Sequence, residues 1–376
     1  MDFDLTDEQR LLKDSVDRLL DGAYGDFAKR DTYQAEPKGH ADAMWARYAE
    51  LGLLGLPFAE ADGGFGCGPV ETMIVMEAIG RTLAVEPYLS GVILAGGLIA
   101  RAASAEQKAE IIPKIVEGSM LLSFAWQEPQ ARYDLFDIAT TAKRDEEKWI
   151  IDGRKRIVAF GDSAHRLILP ARSSGARRDR DGVSLFLVDP KAKGVTINAY
   201  QTQDGLRAAD VVLDGVRVEA RALVGPQGAA LPIIEQAVDS TLAALCAEAV
   251  GAMEEAHRLT IEYLKTRQQF GVAIGAFQSL QHRAADMLIA LEQARSMAMY
   301  AAMMANDSDR SAARQAVAMA KVQINKSARL IGQEAIQLHG GIGMTFEYKV
   351  GHLFKRLTMI ETMFGDTAHH LKLVAG

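Results

Sequence analysis

The spacing of apolar residues changes twice along the chain, and this change constrains the fold more than any other feature. Residues 1–120 show the 3.6-residue period of amphipathic helices, for example at Leu12, Val16 and Leu19. Residues 121–226 show short apolar runs divided by turn signals, a pattern typical of β-strands. The helical period then returns from 227 to 376. We therefore predict an α+β chain with three domains: an N-terminal helical domain (1–120), a middle antiparallel β domain (121–226) and a C-terminal four-helix bundle (227–376).

The helical blocks carry clear start signals and long periodic segments. Thr6 with Gln9, and Ser104 with Gln107, have the spacing of a capping box, in which each side chain binds the other residue's backbone amide. Short connections between long helices favour an antiparallel bundle in the last block. The predicted bundle helices cover residues 232–265, 279–306, 310–338 and 351–364.

Two Asp-Gly pairs stand between strand-like runs of the middle block. Asp-Gly readily adopts the positive φ angles of a two-residue hairpin turn. We therefore predict one hairpin around Asp152–Gly153 and a second around Asp214–Gly215.

Composition excludes several classes of protein. With 49% apolar residues in 376, the chain is not expected to be disordered, and its net charge of −7 argues against a nucleic-acid partner. Cys67 and Cys246 form no Cys-x-x-Cys pair, so we expect no metal site and predict a cytoplasmic location. The uncharged run Tyr88–Ala100 is shorter than the roughly 20 residues of a spanning helix. The acidic segment Met1–Arg10 differs from a signal peptide, so a mature soluble protein is expected.

Two segments at the ends of long helices combine polar residues with glycines. They are Tyr263–Gln278, which begins YLKTRQQFG, and Gln337–Met344 (QLHGGIGM). Arg267 offers a fork of donors to a phosphate oxygen, Phe270 offers an apolar face to an adenine, and the glycine pair lets a ligand approach the backbone. Each feature alone also fits a helix end, as a C-terminal cation or a glycine stop. No Gly-x-Gly-x-x-Gly fingerprint is present, so a nicotinamide site is not expected.

Together, the two segments resemble signature segments of the acyl-CoA dehydrogenase family, and the resemblance extends over essentially the whole chain. Within the family it is closest to the branch of small subunits that act on pimeloyl-CoA, which is itself similar to steroid side-chain dehydrogenases. The resemblance implies FAD as cofactor, an acyl-CoA substrate and an electron-transfer flavoprotein as electron acceptor. It also implies that both segments hold the ADP half of FAD, partly across a subunit interface. The implied cofactor-binding residues are Arg267, Gln269, Phe270, Gln278, Gln337, Gly340, Gly341 and Thr367.

The sequence departs from the family where relatives carry the catalytic base. Many relatives have a Glu in a Tyr-Glu-Gly-Thr run, and the matching position is Gly365. Others carry the base on the first bundle helix, where the matching residue is Thr241. Two substitutes are considered. Asp366 is one residue further on, although it also fits a helix N-cap. Glu248 lies in an apolar stretch that favours a raised pKa, although it also fits a structural hydrogen bond.

The substrate side and the middle domain depart as well. Asp239 matches a family position near the substrate, but Leu242 replaces the Arg that often follows. Trp126–Asp134 keeps only Glu and Pro of the family's Thr-Glu-Pro-Gly-x-Gly-Ser-Asp turn, and Ile157–Ala159 replaces Trp-Ile-Thr. The run Arg177–Asp181 fits either a CoA-phosphate contact or a solvated loop. The pair His369–His370 is interpreted as a flavin-phosphate or interface feature rather than a metal site.

These departures predict a small subunit that pairs with a larger homologous subunit, which brings the base and the better flavin face. The assembly is expected to be a dimer or tetramer. A self-sufficient homo-oligomer using Asp366 or Glu248 is the first alternative, and a non-catalytic scaffold subunit is the second. Dicarboxyl, fatty and steroid-derived acyl groups all remain open.

Overall fold

The structure, a computed structural model, describes residues 5–375. Both predicted capping boxes are present, at the start of the first and sixth helices. A π-helical run, Tyr88–Gly96, precedes the fifth helix and was not predicted. The helices are α1 (Asp7–Tyr24), α2 (Ala28–Ala35), α3 (Asp42–Glu50), α4 (Pro69–Thr82), α5 (Gly97–Ala102), α6 (Ala105–Val116), α7 (Leu231–Thr266), α8 (Gln278–Met304), α9 (Arg310–His339), α10 (Lys349–Thr362) and α11 (Thr367–Ala375).

One large sheet occupies the middle of the chain. The strands are β1 (Leu122–Phe124), β2 (Thr141–Asp145), β3 (Lys148–Ala159), β4 (Arg166–Arg172), β5 (Val183–Val188), β6 (Val195–Gln201), β7 (Arg207–Glu219), β8 (Leu223–Val224), β9 (Gln268–Gln269) and β10 (Val272–Ala273). The main path of the large sheet runs β6-β7-β3-β2-β4-β5-β8, and β1 pairs with β4. Most pairs are antiparallel, but β1–β4 and the single β2–β4 pairing are parallel. A separate small ladder joins β9 and β10.

The order helical, β, helical is confirmed, and the four predicted bundle helices correspond to α7–α10 within two residues at each end. The two predicted Asp-Gly hairpins are wrong. Both pairs lie inside the long strands β3 and β7, opposite each other, where the ladder shifts register between Ile151 and Gly153. Asp152 Oδ1 accepts a 2.7 Å hydrogen bond from the Gly215 amide, so the two irregularities support each other as facing bulges. The turn that connects β2 and β3 lies at residues 146–147 instead.

The chain divides into two compact units, and the first predicted block contributes to both. One unit contains the described residues up to Thr32, then Pro69–Ala84, and those from Leu242 onward; the other contains Tyr33–Gly68 and Val85–Thr241. In the first unit, α1 packs on α4, α4 on α8, and α9 on α8, α10 and α11. The domain boundaries at 120 and 226 stay a prediction.

Within the first unit, two glycines allow the backbones of α4 and α7 to come into direct contact where the helices cross. A Cβ added at Gly80 would overlap the Glu248 carbonyl, and one added at Gly251 would overlap the Glu77 carbonyl. Because glycine lacks a Cβ, it permits this approach. Among residues 5–375, none of the helices combines the length and the apolar character that a bilayer-spanning segment needs.

Candidate functional site

The loop between α10 and α11 contains the position at which many relatives carry their base. Its backbone is unusual, because Phe364 has φ of 57° and Gly365 has φ of 131°. A Cβ built on Gly365 would lie 2.5 Å from His369 Cδ2 and 2.6 Å from His370 Nε2. The loop as folded therefore excludes any side chain at this position.

Asp366 and Thr367 begin α11. The Asp366 Oδ1 accepts a 2.9 Å hydrogen bond from the His369 amide, the geometry of a helix N-cap. Thr367 is the first helical residue and is half-buried. The contact identifies what the Asp366 carboxylate binds in this structure, while its catalytic role and the cofactor role of Thr367 stay predictions.

Glu248 is buried on α7 and forms a two-pronged ion pair with Arg356 of α10. Arg356 Nε donates to Oε1 at 2.5 Å and Nη2 donates to Oε2 at 2.9 Å. Both side chains are more than nine-tenths buried. The sequence predicted apolar surroundings for this carboxylate, but it missed the guanidinium, which comes from 108 residues further along the chain.

The alternative base position on α7 is occupied by a fully buried hydroxyl. Thr241 Oγ1 donates to the Ala237 carbonyl at 2.8 Å, one turn back on the same helix. Beside it, Ser240 accepts a 2.9 Å hydrogen bond from Arg101. Asp239 is buried as well, and its substrate role stays a prediction.

Lys321 of α9 is fully buried and was missed by sequence reasoning. Its Nζ donates to Asn325 Oδ1 at 2.8 Å and to the Ile360 carbonyl at 2.7 Å, near the end of α10. Burial lowers the pKa of Lys321 to about 8. A cation at this helix end satisfies backbone carbonyls that have no partner within the helix. Lys321 thus anchors the helix that leads into the Gly365 loop.

The two predicted cofactor segments meet through stacked rings. Tyr263, near the end of α7, stacks on His339 at the end of α9 with ring centroids 4.6 Å apart. His339 in turn contacts Tyr348 at 5.0 Å. Arg267 follows Tyr263 by one helical turn, and Gly340 follows His339 directly. The stack therefore places both segments at the same end of the helical unit.

The first segment forms a small exposed hairpin. Phe270 and Gly271 turn from β9 into β10, both with positive φ, and Phe270 is 90% exposed. Arg267 is exposed, and its guanidinium has no hydrogen bond or ion pair with residues 5–375. Gln269 and Gln278 are exposed too. A left-handed backbone conformation costs free energy for a bulky aromatic residue, and exposing its ring to water costs more. The conformation of Phe270 therefore suggests that its ring contacts a group outside this chain.

The second segment ends α9 with two glycines. Gly340 has φ of 62° and ends the helix, whereas Gly341 is not in the left-handed region. Apart from the adjacent residues of the chain, no described atom lies within 4 Å of a Cβ built on Gly341, so no packing contact in residues 5–375 requires glycine there. Gln337 is exposed beside them. The open glycine, the unpaired Arg267 and the exposed Phe270 fit the ADP half of FAD, the cofactor that the resemblance implies.

In the middle domain, the segment Trp126–Asp134 is held by hydrogen bonds to neighbouring parts of the chain. Glu128 is buried and accepts hydrogen bonds from Lys155 Nζ at 2.7 Å and from the Ala139 amide at 2.7 Å. Burial raises its pKa, but Lys155 and the hydrogen bonds outweigh that effect and keep the pKa below its usual value. This retained family residue is therefore engaged within the fold. Nearby, Ile157 has φ of 50°, a strained conformation for a β-branched residue, and is 45% exposed.

The arginine run of the β4–β5 loop is held by a buried acid. Arg177 and Arg178 both donate to Asp137, at 2.6 and 2.9 Å, and Arg180 pairs with Glu235 at 2.7 Å. The arginines are therefore engaged by carboxylates within the chain, and both the CoA-phosphate contact and the solvated loop stay predictions. Within residues 5–375, no three His, Cys, Asp or Glu side chains are arranged to hold a metal ion.

Three family models match the chain: the acyl-CoA dehydrogenase N-terminal domain over residues 6–119, the middle domain over 123–216 and the C-terminal domain over 231–376. The acyl-CoA dehydrogenase FadE12 of Mycobacterium tuberculosis (strain ATCC 25618 / H37Rv) is 33% identical over 325 residues, covering 84% of this chain and 82% of FadE12.

Two solved structures share the fold over nearly all of the chain. The FAD complex of PigA is 25% identical with a TM-score of 0.92, covering 100% of this chain and 98% of that one. The Tcur3481–Tcur3483 steroid ACAD is 27% identical with a TM-score of 0.87, covering 98% and 96%. The chain therefore belongs to the acyl-CoA dehydrogenase family, and it is an FAD-dependent oxidoreductase of that family.

Proposed function

We propose that this chain is the small subunit of a hetero-oligomeric acyl-CoA dehydrogenase, and that a larger homologous subunit supplies the catalytic base. The observation that carries the proposal is that neither position at which relatives have their catalytic Glu holds a carboxylate here. Position 365 is a glycine enclosed by two histidine rings, and position 241 is a threonine bonded to its own helix. The two substitute carboxylates, Asp366 and Glu248, already bind the His369 amide and Arg356.

The reaction is α,β-dehydrogenation of an acyl-CoA thioester. When bound, FAD supplies the acceptor for the hydride that leaves the β-carbon. A carboxylate must take the α-proton, which is too weakly acidic to leave without a positioned base. In our proposal this chain contributes the grip on the ADP half through Arg267, Phe270 and the Gly340–Gly341 pair. Gln269, Gln278, Gln337 and Thr367 complete the proposed set.

Assembly as a dimer or tetramer is supported by large apolar side chains in solvent. Phe270, Met344 and Phe346 are 90%, 76% and 74% exposed; the first two lie within the two cofactor segments, and Phe346 follows the second segment. Exposed apolar groups of this size commonly mark protein interfaces. We infer that these side chains are covered in the assembly and that the cofactor grip extends across that interface.

The acyl group, the electron acceptor and the compartment belong to the proposal too. A steroid-derived acyl-CoA is supported by the 27% identical steroid ACAD, whose name joins two proteins. Dicarboxyl and fatty acyl groups follow the same chemistry, with Asp239 as the proposed substrate contact. An electron-transfer flavoprotein is the proposed acceptor, and the cytoplasm is the proposed compartment.

The test is turnover of an acyl-CoA panel by the chain alone, by a larger homologue alone and by their co-expressed mixture. The proposal predicts activity only with the larger homologue. Asp366→Asn and Glu248→Gln should behave like the wild-type chain in the mixture, provided that each variant is folded and retains FAD.

Two other results would contradict the proposal. Activity of the chain alone, lost in Asp366→Asn, would favour the self-sufficient homo-oligomer. A homologue fully active without this chain would refute the small-subunit proposal, and it would also exclude a scaffold subunit that completes the partner's flavin site.

A further inference from the structure

The space over Gly365 is filled by two imidazole rings, and one of them is fixed in place. The His369 ring is half-buried at the surface of α11, whereas His370 is 1% exposed. The two rings stand edge to face with centroids 5.2 Å apart. A Cβ at position 365 would lie 2.6 and 3.0 Å from two His370 ring atoms, closer than side-chain contacts normally come. A half-buried ring yields readily to such a contact, but an enclosed ring does not.

His370 is an unusual choice for a buried position. Neither ring nitrogen makes a hydrogen bond of ordinary geometry within the described part of the chain, although the Phe364 backbone lies close enough to act on the ring. Burial lowers the pKa of His370 to about 3, helped by the nearby Lys321 ammonium and His369 and opposed by the Phe364 backbone and Asp366, so the ring is neutral near pH 7. A buried polar group without a partner destabilises a fold relative to an apolar side chain of similar size. The ring therefore contributes through its shape and position.

We propose that His370 occupies the space that a side chain at position 365 would need, and so holds the loop at residues 363–366 in a conformation open only to glycine. The inference deepens the proposed function and rests on it in one respect: it explains why this chain has no base at that position. It implies that a carboxylate cannot return there by a single substitution. His370 is a positioning residue in this account, not a catalytic one.

A double-mutant cycle between positions 365 and 370 tests the proposal. Gly365→Ala adds only a Cβ, and the backbone strain at φ of 131° is present in both backgrounds, so it cancels in the cycle. We expect Gly365→Ala to raise the equilibrium constant for unfolding at least about tenfold more in the wild-type chain than in His370→Ala. The assay is urea unfolding of the full chain, with the partner if the chain requires it.

Three further variants make the result specific. His370→Leu keeps most of the ring's volume without its nitrogens, so the full effect of Gly365→Ala should remain. His369→Ala is the matched control, and it should relieve much less of that effect. If His370→Ala does not fold, His370→Val removes the same ring atoms and leaves a smaller void.

Additive effects of the substitutions at 365 and 370, or equal relief by His369→Ala, would overturn the proposal. Loss of the coupling in His370→Leu would overturn it too, because the nitrogens would then be responsible. Such results leave the small-subunit proposal intact, since they concern stability only. Conversely, turnover by the wild-type chain alone would refute the small-subunit proposal without changing the outcome of the cycle.

Discussion

Replacing Glu248 by Gln should destabilise the helical unit by about 3–5 kcal/mol, the range typical when one partner of a buried ion pair is removed. The carboxylate and the Arg356 guanidinium are both more than nine-tenths buried, and two short charge-assisted hydrogen bonds join them. Glutamine preserves the shape but removes the charge and one of the two acceptors. Arg356 would then keep its charge in a site that water does not reach.

Urea unfolding measures this effect, and an exposed pair on the same helix provides the matched control. Glu262 pairs with Arg258 at 2.6 Å, but both side chains are more than half exposed, so Glu262→Gln should change stability by less than about 1 kcal/mol. The double variant Glu248→Met with Arg356→Met removes both charges and should recover most of the loss. A Glu248→Gln variant within 1 kcal/mol of wild type would refute this reasoning. The result also decides whether lost activity in that variant reflects a lost base or a lost fold.

Arg267→Ala should weaken FAD binding by on the order of 1.5–3 kcal/mol, measured by flavin titration, and Arg144→Ala, at an exposed arginine of β2, should not. Phe346→Glu should shift the assembly toward smaller species in analytical sedimentation, since this ring is 74% exposed in the single chain; an unchanged mass distribution would place the interface elsewhere. Burial lowers the pKa of Lys321 from 10.5 to about 8, so the unfolded state binds more protons between those values. Wild type should therefore gain up to about 3 kcal/mol over Lys321→Met as the pH rises from 8 toward 10.5, and parallel pH profiles in urea unfolding would contradict this.

The long helices could be predicted from the sequence because each is set by its own period. The apolar stripe and the flanking polar residues of α9, for example, lie within one continuous stretch that ends at Gly340. The Asp-Gly pairs misled because the same dipeptide suits a hairpin turn and a bulge. What decides between them is the strand opposite, here β7 facing β3 across some 60 residues of chain.

In the candidate site too, features set by neighbouring residues could be predicted from the sequence, whereas contacts between separate helices could not. The segments around Arg267 and Gly341 were found because their residue types and spacing are local. The partner of Glu248 and the anchoring role of Lys321 were not, since both depend on which helices pack together. The sequence shows that Gly365 lacks the expected carboxylate, but only the folded loop brings the His370 ring over it.

The crossing of α4 and α7 at Gly80 and Gly251 has a consequence for how the protein is made. About 170 residues separate the two glycines in the chain, and all of them are synthesised between the two contact points. At 5–20 residues per second, α4 leaves the ribosome roughly 10–30 seconds before its partner. The inserted unit, Tyr33–Gly68 with Val85–Thr241, is complete by then. We therefore expect α1 and α4 to present apolar surface during synthesis, so that a nascent chain stopped before Leu242 should recruit chaperones that the released full chain does not.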